Sequence, residues 1–457
     1  MQKQKNRRDM NEDRYVAAIE ISSSKIIAAV GKLRSTNQLD IVAVEQDAGV
    51  EGVRYGIIQN LEDTSLRIQH LLQKIQKRPS VTPRQIIGVY IGMSGRSLRS
   101  LTTEVSKNLP EDTEITQDIM AGLRAQALKS AIDNSLEVVD AIPRVFRVDK
   151  TETTSPKGMI GSYIRGTYDL IVCRPELKRN LVRTLQDKLK ITINGAIVTA
   201  LCTGQLILKP DEKNLGCMLV DMGAETTTVT IYKGGQLRYF VTLPIGGRNI
   251  TRDLTTLHIL EEKAEEMKIS SGDAIARDNV SMQNFNGVKM NEVANYIVAR
   301  SEEIVANIIA QIEYAGLKDK DLPGGIVCIG GGAQLNGILQ LLGDRSTLPV
   351  RRGQLPSYIR VEDARNQKLE LIEVASVLYT GATNNTAECL SLPKHEELPT
   401  NGTVTDDPLV DPDPEPARRR GVDKKPKVKK PSMFSRFGNK VAGFFTGTDD
   451  DDDDIIE

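Results

Sequence analysis

The sequence predicts an α/β fold made of two related halves, and three observations lead there. Runs rich in β-branched residues alternate with runs of helical periodicity. Two distant segments share one layout. Ala18-Ile19-Glu20-Ile21-Ser22 lies over Leu219-Val220-Asp221-Met222-Gly223, each an apolar strand ending in a carboxylate and a small-residue turn. The chain has 457 residues, enough for two or three domains at roughly 150 residues each.

Each element follows from its local pattern. Residues 15–21 and 25–33 read as strands joined by Ser22-Ser23-Ser24, and residues 216–222 and 226–232 as strands joined by Gly223-Ala224-Glu225. Helical spacing covers 65–76, 116–134, 175–189, 261–268 and 291–315. Within 116–134, Ile119, Met120, Leu123, Leu128, Ala131 and Ile132 keep that spacing. Between 85 and 173 the order is strand 86–92, strand 97–103, that helix, strand 136–146 and strand 167–173, which reads as an inserted α/β segment. Residues 324–329 form a buried-looking strand that runs into Gly330-Gly331-Gly332-Ala333, with a helix expected over 335–342.

These readings divide the chain. Residues 1–13 are a polar, flexible N-terminus; 14–84 and 174–215 make the first half, interrupted by the insert 85–173; 216–392 make the second half. Eight of the 19 prolines lie between Pro393 and Pro431. With acidic clusters and almost no large apolar residues, that stretch cannot offset its chain entropy, so 393–431 reads as a disordered linker.

Composition excludes several function classes. Lys+Arg is 60 and Asp+Glu is 61, a net charge of -1, which argues against a general nucleic-acid binder. Aromatics are 4% and Trp is absent, so base-stacking platforms are not expected. Cys173, Cys202, Cys217, Cys328 and Cys389 are scattered without a C-x-x-C and read as reduced, cytoplasmic thiols. His70, His258 and His395 lie far apart, which disfavours a histidine metal site or a Ser-His triad. No run of 18 apolar residues is present, so no transmembrane helix is expected, and the polar, charged stretch 1–13 lacks the apolar run expected of a signal peptide.

The hairpins carry the chemistry. Small-residue turns let backbone N–H groups approach phosphate oxygens. Hydroxyls of Ser22, Ser23, Ser24 and Thr226 can add hydrogen bonds, Lys25 can neutralise phosphate charge, and Glu20 and Asp221 can hold Mg²⁺ directly or through water. Either hairpin alone reads first as a plain tight turn with a capping carboxylate. The glycine turn 330–332 between strand and helix suits close approach of a ligand, although it is neither a Walker loop nor a G-x-G-x-x-G fingerprint. The order of carboxylate hairpin, second carboxylate hairpin and strand–triple glycine–helix is far more specific than any one of them.

On these residues the chain resembles the actin-like ATPase superfamily and, within it, the FtsA family of bacterial cell-division proteins. The first phosphate segment resembles Ile19 through Lys25, the second Val220 through Thr226, and the adenosine segment Gly325 through Gly337; Glu265 and Lys268 resemble the nucleoside contacts of the following helix. The resemblance implies an actin-like two-domain fold with an FtsA-type inserted subdomain. It implies ATP and Mg²⁺ as cofactors, held by Glu20, Ser22, Ser23, Ser24, Lys25, Asp221, Gly223, Ala224, Thr226, Glu265, Lys268, Gly330, Gly331 and Gly332, with weak or absent hydrolysis, and no catalytic residue is identified. Relatives usually carry Gly where Ser22 stands and two glycines where Ala224 and Glu225 stand. Side chains there narrow the phosphate space, and Glu225 is expected to repel a triphosphate at short range.

The resemblance also implies partners. The inserted subdomain would serve self-assembly into polymers and contacts with later division proteins; without the resemblance it is a stabilising appendage. Arg300 and Glu303 would dock the C-terminal tail of the tubulin-like protein FtsZ, or else form a surface pair at i and i+3. In the tail, 432–447 holds four of the seven phenylalanines, and Met433, Phe434, Phe437, Val441, Phe444 and Phe445 gather opposite a face containing Arg436 and Lys440. That is an interfacial amphipathic helix preceded by a basic run, suited to membrane lipid; docking on a partner protein is the competing reading, and nucleic-acid binding leaves the phenylalanines without a role. The acidic end, 448–457, is expected to weaken or gate membrane contact. The resulting expectation is an ATP-binding protein at the cytoplasmic face of the inner membrane at the division site, tethering the FtsZ ring. The rivals are another actin-like scaffold, for pilus assembly or cell shape, and a sugar-kinase-like phosphotransferase.

Overall fold

The computed structural model describes residues 14–276, 284–285, 288–362, 371–384 and 386–392. The chain opens with an antiparallel meander of β1 (Arg14–Ile21), β2 (Lys25–Leu33) and β3 (Leu39–Ala48). The last six residues of β1 are all buried, Glu20 included, which marks a central strand covered on both faces. A small hairpin, β4 (Val53–Arg54) with β5 (Ile57–Ile58), leads to helix α1 (Leu61–Gln76). Asn60 caps α1 by accepting from the Asp63 amide at 3.0 Å, and Ile68, Leu71, Leu72 and Ile75 form its buried stripe. After β6 (Gln85–Ile86), β7 (Gly88–Met93) runs parallel to β1.

The insert follows as β8 (Arg99–Glu114), α2 (Gln117–Ala127), β9 (Glu137–Val148), β10 (Thr151–Thr153) and β11 (Ile160–Cys173). Its strands lie in the order β10-β9-β11-β8. They enclose a core of their own, including Leu123, Phe146, Ile164, Tyr168 and Leu170. The chain then returns through α3 (Pro175–Val182), a π-helical turn Arg183–Lys188, and β12 (Thr192–Val198), which pairs parallel with β7.

Past α4 (Thr199–Ile207) and α5 (Pro210–Leu215), the opening pattern repeats. Strands β13 (Cys217–Met222), β14 (Thr227–Lys233) and β15 (Gln236–Leu243) form a second antiparallel meander. Helices α6 (Gly247–Thr255) and α7 (Glu261–Ser271), the short pair β16 (Asn284–Phe285) and β17 (Val288–Lys289), and helix α8 (Met290–Tyr314) come next. Strand β18 (Ile326–Ile329) then adds parallel to β13, and after helix α9 (Ile338–Ser346) strand β19 (Val350–Arg352) adds parallel to β18. The two halves thus share one order, β3-β2-β1-β7-β12 and β15-β14-β13-β18-β19. The short likeness around Glu20 and Asp221 is the visible part of this larger repeat. The insert's sheet joins the second one at a single register pair, Val241 with Arg99.

The chain ends on the first half. Strand β20 (Ile359–Val361) pairs parallel with β3, helix α10 (Ile372–Asn384) packs on β1 and β7, and β21 (Leu390–Ser391) pairs with β6. The second half therefore does not extend to 392 as the sequence reading had it. The expected start of the insert at 85 also shifts, because β7 is needed to bridge β1 and β12. The helix expected over 116–134 stops at Ala127. The Asp133 carboxylate accepts from the Ser135 amide at 2.8 Å, a local turn that competes with helix. Strand β8 runs on to Glu114 through a polar stretch, held by pairing with β11 rather than by burial. The glycine turn gives a short 3₁₀ segment, Gly331–Gln334, and the helix begins only at Ile338.

Gly381 of α10 lies on the ring of Tyr90 in β7, and a Cβ there would stand 2.5 Å from ring carbons. Tyr90 is buried and cannot swing away. Gly381→Val should destabilise the protein by about 1–3 kcal/mol through overpacking, read as a lower urea midpoint; an unchanged midpoint would show that this helix is loosely seated.

Candidate functional site

A cavity of about 470 Å³ opens where the turns of the two halves face each other. Thirteen of the fourteen residues proposed from sequence to hold nucleotide line it: Ser22, Ser23, Ser24, Lys25, Asp221, Gly223, Ala224, Thr226, Glu265, Lys268, Gly330, Gly331 and Gly332. Glu20 does not. Its carboxylate is sealed behind the first turn, accepting from the hydroxyls of Ser94 and Thr199 at 3.2 Å each. That position removes it from direct contact with a metal ion in the cavity and leaves Asp221 as the strand carboxylate that faces it. Among the described residues, no group of three or more His, Cys, Asp or Glu side chains is arranged to hold a metal ion.

The first turn is built by its serines. The Ser22 hydroxyl donates to the Lys25 carbonyl at 2.9 Å, closing the hairpin, so it is spent on the turn and not on a ligand. Ser23 Oγ accepts from the Gly56 amide at 3.0 Å. The second turn is closed by the Gly223 amide on the Thr226 carbonyl at 2.8 Å. Its carbonyls at Gly223 and Ala224 accept from the amides of Gly247 and Arg248 at the start of α6, at 3.0 and 2.7 Å. Gly330 in the third turn has φ of +83°, and a Cβ there would lie 2.5 Å from Asp221 Oδ1 and from the Met222 carbonyl. Glycine is required at that point for the turn to reach the carboxylate strand.

On α7, Lys268 is mostly buried and donates to Glu265 Oε2 at 2.6 Å, Thr251 Oγ1 at 2.9 Å and the Gly247 carbonyl at 3.2 Å. Burial lowers its pKa, with Glu265 opposing. The pair links α7 to the glycines that open α6.

The acids of the site are crowded. Burial, the charge of Glu373 and a hydrogen bond with Glu373 push Asp221 well above the usual carboxylate range, with Lys25 opposing. Burial and Glu373 raise Glu20 to about 8, while Thr199 and Ser94 pull it down. Glu373, in the first turn of α10, lines the cavity and had no sequence signal; only the return of the chain to the first half brings it there.

Glu225 corrects the expectation of repulsion. Its side chain is fully buried. It accepts from Arg54 Nε at 2.9 Å, the Tyr55 amide at 2.7 Å, an Arg248 guanidinium nitrogen at 3.2 Å and an Arg252 guanidinium nitrogen at 2.8 Å. Burial alone would raise its pKa, but the Tyr55 amide and the arginines hold it below the ordinary value. Three guanidiniums against one carboxylate leave this corner positive. None of the arginines was legible as a site residue, because Arg54 lies 171 positions from its partner.

Arg300 and Glu303 lie away from the cavity lining. Arg300 on α8 grips Asp253 of α6 with two bonds, 2.6 and 3.0 Å, and also pairs with Glu303. The membrane-facing residues proposed at Met433, Phe434, Arg436, Phe437, Lys440, Val441, Phe444 and Phe445 fall outside the described residues. Among the described residues, no helix is long and apolar enough to cross a membrane.

Two repeated half-sheets that meet across glycine and serine turns, with a separate subdomain inserted in the first half, define a two-domain protein of the actin-like class. A chain of a solved PilM–PilN type IV pilus biogenesis complex is similar in fold, with a TM-score of 0.57 over 81% of this chain and 98% of that one, at 15% identity. Family descriptions place the chain further. "Cell division protein FtsA" matches residues 218–391, and "SHS2 domain inserted in FTSA" matches 95–172. The FtsA of Bacillus subtilis is 30% identical over 368 residues, covering 78% of this chain and 81% of that protein. The FtsA of Porphyromonas gingivalis is 28% identical over 413 residues, 85% of each chain. The chain belongs to the FtsA family of cell-division proteins.

The raised Glu20 has a consequence for stability. Below pH 4.5 it is protonated whether the chain is folded or not; as pH rises towards about 8, only the folded chain keeps the proton. The stability this provides is complete below 4.5 and is lost as pH rises through about 8. Without nucleotide, the urea midpoint should therefore fall between pH 5 and pH 8 more steeply in the wild type than in Glu20→Gln. Equal slopes would show that Glu20 is ionised in the folded protein.

Proposed function

We propose that this protein binds ATP between its two halves and tethers FtsZ polymers to the cytoplasmic face of the cell membrane. One observation carries the nucleotide reading: three turns and the α7 pair, remote from one another in sequence, line a single cavity. The turns at 22–24 and 330–332 offer backbone amides and small side chains to phosphates. Lys25 supplies positive charge. Asp221 would hold Mg²⁺ through water, consistent with an ion that keeps much of its hydration; when bound, the ion would neutralise phosphate charge. Glu265 and Lys268 would face the nucleoside. Family membership supports the division role.

The partner reading rests on Arg300, whose two bonds to Asp253 display carboxylate-binding geometry. An acidic peptide would compete with Asp253 for it. The tether reading rests on the phenylalanine stripe of 432–447 and the basic run before it. Many weak tethers along one polymer would act by avidity. The match to the FtsA family supports the division role over a phosphotransferase reading, and the fold alone does not favour a pilus scaffold.

Calorimetric titration with Mg-ATP should show one site per chain, and Lys25→Ala should weaken it about tenfold or more, roughly 1.4 kcal/mol. No heat with the wild type would refute the nucleotide reading. Co-sedimentation with anionic liposomes should carry FtsZ to the pellet with the full chain and not with a chain ending at Pro431. Equal pelleting by both would move the tether elsewhere on the protein.

A further inference from the structure

The hairpin tip at 54–56 touches the turns of both halves. On its own side, the Gly56 amide donates to Ser23 Oγ at 3.0 Å, and the Tyr55 carbonyl accepts from the Arg96 amide at 3.0 Å. Toward the second half, the Tyr55 amide and Arg54 Nε both donate to Glu225. Adjacent amides of one tip thus hold the two ligand-facing turns. The tip is constrained in this pose: Tyr55 has φ of +50° and Gly56 of +78°. The left-handed region is unfavourable for a tyrosine. A Cβ on Gly56 would fall 2.7 Å from the Ser94 carbonyl and Gly95 Cα.

Glu225 is the other half of the contact. It belongs to the β13–β14 turn and is anchored on its own side by Arg248 and Arg252 of α6. Its carboxylate is sealed from solvent, whereas the side chain of Arg54 is 45% exposed. A buried, multiply hydrogen-bonded carboxylate contributes more than a surface pair, because losing a donor leaves an uncompensated charge.

We propose that Glu225, gripped by 54–55 across the cleft, is an internal latch that holds the two halves closed when no nucleotide is bound. An acid of the chain itself thus does, between the two turns, the bridging that a phosphate group could do. Opening the cleft requires the Arg54 and Tyr55 donors to leave Glu225, while Arg248 and Arg252 travel with it. Closure is then a built-in state of the chain, and the occupant of the cavity need not create it.

The test measures the gap directly. Glu51 and Glu262 are exposed, one in each half, and the five native cysteines are buried. Spin labels on Glu51→Cys and Glu262→Cys in the full chain report the distance between halves by pulsed electron resonance. Without nucleotide, the otherwise wild-type chain should give one narrow distance distribution. Glu225→Gln, nearly isosteric, should add a longer-distance population of about a third or more, and so should Arg54→Gln, which removes the partner from the opposite half. The second variant decides the matter if the first fails to fold. A narrow, unchanged distribution in the variants, or two populations in the wild type, would overturn the latch. No nucleotide is present in any arm, so the outcome stands apart from the ATP reading.

Discussion

Everything at this site depends on strands β1 and β13 being central and dry. Each has an antiparallel neighbour on one side and a parallel one on the other. A strand in that position is covered on both faces and reads as a continuous apolar run. A carboxylate near its end is then buried unless the turn beyond it opens onto a cavity. In β13 the turn does open, and Asp221 faces the cleft; in β1 the serine turn folds over, and Glu20 is sealed beneath it with Ser94 and Thr199. The same topology in the two halves thus yields two carboxylates in different surroundings, Glu20 held by hydroxyls from outside its own turn and Asp221 on the cavity.

Local chemistry made much of this legible. The hairpins at 22–24 and 223–226 and the glycines at 330–332 announce themselves by composition, since tight turns and close backbone approach need small residues. What sequence could not show is which distant segments those turns meet. Glu373 arrives only because α10 crosses back to the first sheet, and the crossing leaves no mark except an apolar helix. The boundaries expected at 85 and 392 differ from the sheets that the strands join for the same reason: periodicity reports a strand or helix, not the sheet it joins. The polar length of β8 is another instance, a strand specified by its partner β11 rather than by its own side chains.

Glu225 shows how far a local reading can mislead. Considered with its neighbours in the chain, it is a negative charge beside a phosphate turn. Considered with Arg54, Arg248 and Arg252, it is the smaller part of a positive cluster. Coulomb energies depend on the whole surroundings of a charge and not on its sign alone. The two readings differ because the arginines come from a hairpin of the first half and a helix of the second, and neither is near Glu225 in sequence except by the fold.

The charges of the cleft therefore sort into two groups with different tasks. Asp221 and Glu373 stand inside the cavity and share a hydrogen bond, and burial together with the charge of Glu373 pushes Asp221 well above the usual carboxylate range. Such a pair suits a site that is to receive a cation, because a positive ion relieves the repulsion that burial alone cannot. The arginines around Glu225 stand behind the turns and line no part of the cavity; they face each other across the halves. Charge that would attract a ligand is thus kept apart from charge that holds the halves together. The two groups meet at the Gly223–Thr226 turn, whose Glu225 also lines the cavity, and where the 54–56 tip holds Ser23 of the first turn. The Gly223–Thr226 turn, closed by one amide and pinned by the first amides of α6, and the Gly56 amide on Ser23 Oγ are the places where occupancy of the cavity and closure of the cleft can influence each other.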